Sequence, residues 1–161
     1  MRNFFILLLF MGIISNGMAQ SMATNALGIR FGDNDGFGGE ISYQRELTES
    51  TRFELDFGYR DHVNIDAFKL TGVHQWVFYI DNGFNWYLGI GAGVGSWSYK
   101  NREHPADDDG LFVNADGTIG IEYDFKAPIL ISLDFRPEIG VIGDYGKDTD
   151  LDLAMAIRFQ F

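Results

Sequence analysis

Apolar and polar residues alternate with a period of two along most of this chain. In its last segment one face carries Leu151, Leu153, Met155, Ile157, Phe159 and Phe161, while the residues between them are smaller or polar. Such alternation is typical of strands that separate an apolar surface from a polar one. Eight segments of this kind, bounded by Gly, Asp or Asn, predict strands at residues 25–32, 39–46, 52–60, 67–80, 84–99, 111–125, 129–142 and 151–161.

The links between the predicted strands alternate in length. Longer links follow the first, third, fifth and seventh strands, at residues 33–38, 61–66, 100–110 and 143–150. Shorter links follow the second, fourth and sixth strands, at residues 47–51, 81–83 and 126–128. An even strand count with this asymmetry is typical of barrels that cross a membrane. We therefore predict an all-β fold, a closed antiparallel up-and-down transmembrane β-barrel of eight strands.

Alternation alone does not say which face points into the barrel, because a soluble barrel would enclose its apolar side chains. The bulk of the apolar face decides the orientation. Its members on strands three, five and seven are Phe53, Leu55, Phe57, Tyr59, Phe84, Trp86, Leu88, Ile90, Ile129, Ile131, Leu133 and Phe135. An eight-stranded interior has room only for side chains that just fill it. The polar face of strand five instead carries glycine at positions 89, 91, 93 and 95. We therefore expect the apolar face to contact lipid.

This orientation predicts a polar network in the barrel interior. Its expected members are Arg30, Glu40, Gln44, Arg52, Glu54, Asp56, Arg60, Lys69, Gln75, Asn85, Tyr87, Thr118, Glu122, Asp124, Asp134, Arg136, Glu138, Asp152, Arg158 and Gln160. Six of them are basic and eight acidic. Near balance favours mutual pairing, since an unpaired buried charge is costly and an ion-selective pore normally shows one dominant sign. We predict a plugged barrel, with a gated or proton-conducting narrow channel as the alternative.

Aromatic residues gather near the predicted strand ends, as interfacial belts do. The belt at the short turns would contain Trp76, Phe78, Phe84, Trp86, Tyr123, Phe125, Phe159 and Phe161, and the belt at the long loops Phe31, Phe37, Tyr59, Trp97, Tyr99 and Tyr145. Two positions disturb the pattern. Pro137 removes a ladder donor, so we expect a bulge or a local break there. His74 falls on the lipid face unless a bulge at Gly72 turns it inward.

The first 19 residues predict a cleaved export signal, because Arg2 precedes an apolar run at residues 4–14 and then Gly17-Met18-Ala19. The barrel domain would span residues 20–161. No cysteine is present, which excludes disulfides and a lipid-modified cysteine. Without Arg2, 11 of the 12 basic residues remain against 23 acidic ones, which gives a net charge of −12. This charge argues against nucleic acid and anionic lipid headgroups as electrostatic partners.

Candidate chemistry is sparse. The histidines are His62, His74 and His104, and a lipid-modifying enzyme would have to combine His62 or His104 with Ser96 or Ser98 near the outer rim. The acidic loops offer Asp33-Asn34-Asp35-Gly36 and Asp107-Asp108-Asp109-Gly110 as conceivable calcium sites, but neither completes a calcium-loop motif. We expect no catalytic site, no metal site and no cofactor.

The strand count, the alternation, the loop asymmetry and the terminal Arg158-Phe159-Gln160-Phe161 together resemble the small eight-stranded bacterial outer-membrane proteins of the OmpX type and the membrane domain of OmpA. The resemblance covers residues 23–161. It implies an outer-membrane location with both termini in the periplasm, an assembly signal at Phe159 and Phe161, and the barrel-assembly machinery as a partner during biogenesis. It also implies a structural or surface-interaction role, and we expect a monomer with an unknown exterior ligand.

Overall fold

Eight antiparallel strands close into a barrel in a computed structural model, which describes residues 22–32, 38–61, 65–99, 109–125, 127–143 and 149–161, without the side chains of residues 60, 61, 65, 99 and 109. The strands are β1 (Asn25–Gly32), β2 (Glu40–Thr48), β3 (Thr51–Asp61), β4 (Ile65–Asp81), β5 (Phe84–Tyr99), β6 (Asp109–Asp124), β7 (Ile129–Ile142) and β8 (Thr149–Gln160). Each strand pairs with its neighbours in the chain, and β1 also pairs with β8. Within these ranges no helix is long and apolar enough to cross a membrane.

The predicted fold class is confirmed. The bounds of β1, β5 and β7 are the predicted ones, and those of the other strands differ by one or two residues. Both chain termini of the barrel and its three short turns lie at one end, called the turn end here, and the strand ends that the four longer links join lie at the other, called the loop end. The β4–β5 turn consists of Asn82 and Gly83, with φ of 49° and 90°. Positive φ at both positions is typical of the type I′ turn that suits a twisted hairpin.

Side chains alternate between the lumen and the outer surface along every strand. On the outside, large apolar side chains such as Ile90 and Leu133 are 63% and 50% exposed. On the inside, charged side chains such as Glu54 and Arg136 are almost completely buried. The polarity is therefore the reverse of that of a soluble protein, as the bulk of the apolar face predicts.

Glycines on the inner face of β5 make room for larger side chains on β6. Asn114 lies over Gly93, where an added methyl group would come within 2.4 Å of its Oδ1 atom. The ring of Phe112 lies over Gly95 in the same way, and its Cζ atom would be 2.2 Å from a methyl group there. The run of glycines thus sets how far the interior side chains can reach across the lumen.

The pairing of β7 at Pro137 shows the predicted local break on one side only. The β7–β8 ladder is continuous and places Pro137 opposite Leu151. The β6–β7 ladder stops at Glu138 and resumes at Phe135 with an unchanged register. Because proline has no N–H to donate, one side of the strand loses its hydrogen bonds while the register is held by the flanking pairs.

His74 lies on the outer face of β4. The pairing of β4 with β5 is regular from Ile65 to Tyr79, so no bulge at Gly72 turns the histidine inward. Its ring makes an edge-on contact with the ring of Trp76, with 4.7 Å between the centroids. This settles the choice that the sequence left open.

Candidate functional site in the barrel interior

Ion pairs in the lumen join side chains from different strands. The described basic side chains in the lumen are Arg30, Arg52, Lys69, Arg136 and Arg158, and each contacts at least one carboxylate from another strand. These pairs form three groups along the barrel axis: a central group, one toward the turn end and one toward the loop end.

Arg30 holds one side of the central group together. Its Nη1 atom lies 2.8 Å from Glu40 on β2, while its Nη2 atom lies 2.7 Å from Asp134 on β7 and 2.6 Å from Asp152 on β8. One guanidinium on β1 therefore joins three further strands. The planar fork of arginine suits such multiple contacts with carboxylates.

Glu54 is the acceptor on the other side of the central group. Its two oxygens accept hydrogen bonds from Arg136 at 2.7 Å, Arg158 at 3.0 Å and Gln44 at 2.6 Å. Arg136 also contacts Asp56 at 2.8 Å. These side chains are all at least nine-tenths buried, so removal of Glu54 would leave two buried guanidinium groups short of a counter-charge.

The turn-end group centres on Arg52. Its guanidinium lies 2.7 Å from Glu122 and donates to Gln75 at 2.6 Å, and its Cζ atom lies 4.8 Å from the centroid of the Tyr87 ring. The Tyr87 hydroxyl donates to Asp134 at 3.3 Å and so connects this group to the central one. Beyond Arg52 the mouth of the barrel retains a cavity of about 20 Å³, which has room for about one water molecule.

The loop-end group contains Lys69, which bridges the lumen to Glu138. The Asn114 amide donates to Asp116 at 2.6 Å and to Glu138 at 3.1 Å. Asp116 and Glu138 are direct cross-strand partners, so the lysine and the amide separate two carboxylates that would otherwise repel each other.

Above Lys69, apolar side chains cover the network. Buried Ala67 and Phe112 pack with Trp97, and we call these three residues the apolar cap. The prediction that Trp97 belongs to the outer aromatic belt is wrong. Because β5 is regular, Trp97 shares its inward face with Gly95, and Gly110 on β6 leaves space for its indole ring. Among the described side chains, this apolar cap lies on the loop-end side of the charged middle of the lumen.

Most of the residues predicted for the network lie where the sequence placed them. Arg30, Glu40, Arg52, Glu54, Asp56, Lys69, Tyr87, Glu122, Asp134, Arg136, Glu138, Asp152 and Arg158 are buried, whereas Asp124 is half-buried at the mouth of the turn end. The side chain of Arg60 lies outside the described part. The sequence reasoning missed Ser42, Thr71, Asn114, Asp116 and Ser132, which are also buried in the lumen. Each of them lies two residues from another inward-facing residue of its strand, so the alternation along the strands could have identified them.

The aromatic residues predicted at the turn end lie on the outer surface, in β4, β5, β6 and β8 or directly after β6 and β8. Phe78 and Trp86 stack with centroids 4.4 Å apart, and the rings of Phe84 and Tyr123 lie 4.5 Å apart. Tyr123 also makes an edge contact with Phe125. Phe159 and Phe161 of the C-terminal strand are both more than half exposed. At the loop end Phe31 and Tyr59 are exposed as well, whereas Phe37, Tyr145 and the side chain of Tyr99 lie outside the described residues.

The candidate catalytic and calcium-binding residues are not brought together within the described part. Ser96 and Ser98 lie at outward positions of β5, while His62 and His104 lie outside the described residues. The two acidic loop motifs also lie outside them, apart from the backbone of Asp109 and Gly110. Among the described residues no group of three or more His, Asp or Glu side chains could hold a metal ion.

No protein-family model matches the chain, and neither does any curated protein. Solved structures do match. The N-terminal β-barrel domain of OprF from Pseudomonas aeruginosa has 15% identity and a TM-score of 0.69, over 88% of this chain and 100% of that one. Neisserial surface protein A has 14% identity and a TM-score of 0.56, over 85% and 94%. Ail, the attachment invasion locus protein of Yersinia pestis, has 14% identity and a TM-score of 0.52, over 87% and 100%. The chain therefore has the fold of the small eight-stranded outer-membrane β-barrels.

Proposed function

We propose that this protein is an integral outer-membrane barrel that is closed to ions and solutes and that has a structural or surface-interaction role. The observation that carries the proposal is the interior, where each described basic side chain binds a carboxylate on another strand. Ion pairs between strands stabilise the barrel in the membrane, where it can hold its loops at the surface. They leave no wide aqueous path through the lumen.

The outer surface supports a membrane location. Large apolar side chains on all eight strands are more than one-third exposed, among them Ile41, Phe57 and Leu153. Soluble monomers rarely expose contiguous apolar patches beyond a few hundred Å². An apolar band around a barrel with aromatic residues near its rims is the arrangement that lipid stabilises. The predicted export signal and the outer-membrane origin of the structurally similar proteins both favour the bacterial outer membrane.

Two layers of side chains in the lumen, the central ion pairs and the apolar cap, support the proposal that it is closed. In the middle, Arg30 and Glu54 each contact residues on several strands, so the ion pairs occupy the cross-section. At the loop end the described side chains include the apolar cap, and an apolar constriction opposes the passage of ions because it does not hydrate them. An ion would have to disrupt both layers.

Conductance measurements test the closed lumen. Purified protein in planar bilayers should show no stable conductance, and neither should the Phe68→Ala variant, whose altered side chain lies on the outer surface next to Lys69. Phe112→Ala removes a ring of the apolar cap without touching an ion pair, so we expect at most brief, small openings. A stable open state of the unaltered protein that passes solutes would reject the proposal.

Cell fractionation tests the outer-membrane location, and lipid analysis tests whether the protein modifies lipids. The protein should sediment with outer membranes, and deletion of Phe161 should sharply reduce insertion if the terminal aromatic is recognised by the barrel-assembly machinery. Mass spectra of lipid A and phospholipid from expressing cells should not change. A protein that stays monodisperse in buffer without detergent would reject the membrane location, and altered acylation would favour a lipid-modifying enzyme instead.

A further inference from the structure

Arg45 differs from the other described arginine and lysine side chains because it points away from the lumen. It lies near the turn end of β2, three residues before Thr48, and its side chain is exposed. Its neighbours on the same face are Tyr43 and Leu47. In a membrane barrel this face contacts lipid, so the position of a permanent positive charge there requires an explanation.

The protein supplies Arg45 with only a neutral partner in the described part. Asn25 lies directly opposite on β1, and its Oδ1 atom accepts hydrogen bonds from Tyr43 at 2.7 Å and from Arg45 Nη1 at 3.3 Å. No described carboxylate lies within 4.0 Å of the guanidinium. Arginine carries five N–H donors in a rigid fork, so most of its donor capacity remains directed outward.

The side chains that flank Arg45 are apolar on both sides. Phe53 lies directly opposite on β3, and Leu47 on the same strand is 53% exposed. Phe161 pairs with Asn25 through backbone hydrogen bonds of 3.0 and 2.9 Å and is 61% exposed. The guanidinium and the Asn25 amide therefore form a small polar site within a surface that acyl chains would cover.

The guanidinium of Arg45 can reach the headgroup region of a bilayer from its position near the turn end. Three residues correspond to about 10 Å along a strand, and a tilt of about 40° reduces this to about 8 Å along the barrel axis. A charged side chain costs little near the interface, where a long arginine stem can reach the headgroups. The chemical group at this level of a bilayer is a lipid phosphate.

We propose that Arg45, positioned by Asn25 and Tyr43, binds the phosphodiester of one phospholipid in the leaflet at the turn end. A phosphate accepts two parallel N–H bonds from one guanidinium, which is the contact that the described protein leaves unmade. The acyl chains would run from Arg45 toward the bilayer centre, over Phe53 on β3 and Ile41 on β2. The negative net charge of the chain opposes a broad attraction to anionic lipid, but the carboxylates of the lumen point away from this site. The inference rests on the proposed membrane location.

Native mass spectrometry tests the site. Protein from bilayer nanodiscs of phosphatidylcholine with phosphatidylglycerol is released from lipid, and the phospholipid that stays bound is counted. The unaltered protein should retain one phospholipid. Arg45→Gln should retain at least about tenfold less, because it loses charge-assisted hydrogen bonds. Arg45→Lys, which keeps the charge without the fork, should be intermediate. His74→Gln, an outward polar control two strands away, should match the unaltered protein.

The outcomes separate this inference from the proposed function. Equal retention by Arg45→Gln and the unaltered protein, with both inserted and folded by heat-dependent gel mobility, would overturn the site and leave the membrane location intact. A dimer that forms without lipid and is lost in Arg45→Gln would also overturn it, in favour of a protein contact. Failure of the unaltered protein to enter bilayers at all would overturn both proposals.

Discussion

Leu133→Arg places a charge on the outer face of β7, and its cost follows from the position of that residue. Leu133 is half exposed and lies four residues beyond Ile129, the first residue of the strand. Four residues span about 13 Å along the strand, and because the strand is tilted by about 40° this corresponds to about 10 Å along the barrel axis. Leu133 therefore lies close to the middle of an apolar band about 25 Å tall. Its direct partners, Ile121 and Met155, are apolar and exposed, so the arginine would find no counter-charge.

An arginine at the bilayer midplane costs about 2–4 kcal/mol, which lowers the folding equilibrium constant by about thirtyfold to almost a thousandfold. The measurement is urea-dependent unfolding in lipid vesicles, followed by tryptophan fluorescence and gel mobility. The matched control is Ile129→Arg, on the same face of the same strand but at the turn end, where the cost should be about 0–1 kcal/mol. Equal effects of the two substitutions, or no effect of Leu133→Arg, would refute the lipid-facing register.

Two further substitutions test the packing and the charges of the lumen. Gly95→Ala should destabilise the barrel by about 1–3 kcal/mol through overpacking, because the added methyl group would meet the ring of Phe112. Gly39→Ala is the control, because Gly39 is exposed and nothing lies within 4 Å of the added methyl group. Glu54→Gln should cost about 3–5 kcal/mol because it leaves buried arginines short of a counter-charge, whereas Glu49→Gln in an exposed turn should change little. Urea unfolding in vesicles measures both pairs, and a stable Glu54→Gln variant would contradict the role of the ion pairs.

The sequence predicted the strands well because their signal is local. A period of two depends only on whether neighbouring residues are apolar or polar, so the eight strands, their order and their inward faces follow without knowledge of their partners. Asp116 was missed although it obeys the parity of β6, because its neighbours include alanine and glycine and the alternation there is weak. Trp97 lies near the end of β5, as belt residues do, but the alternation of that strand points its side chain inward.

The sequence by itself determined that this chain forms an eight-stranded barrel with its apolar side outward, since composition, alternation and turn residues all act over a few residues. Only the tertiary structure decided which charges meet. Arg30 binds Asp134, 104 residues away, and Lys69 binds Glu138, 69 residues away. Such partners depend on the register of every strand around the closed ring. A shift of one strand would change which side chains share a level of the lumen, so no local pattern can specify them.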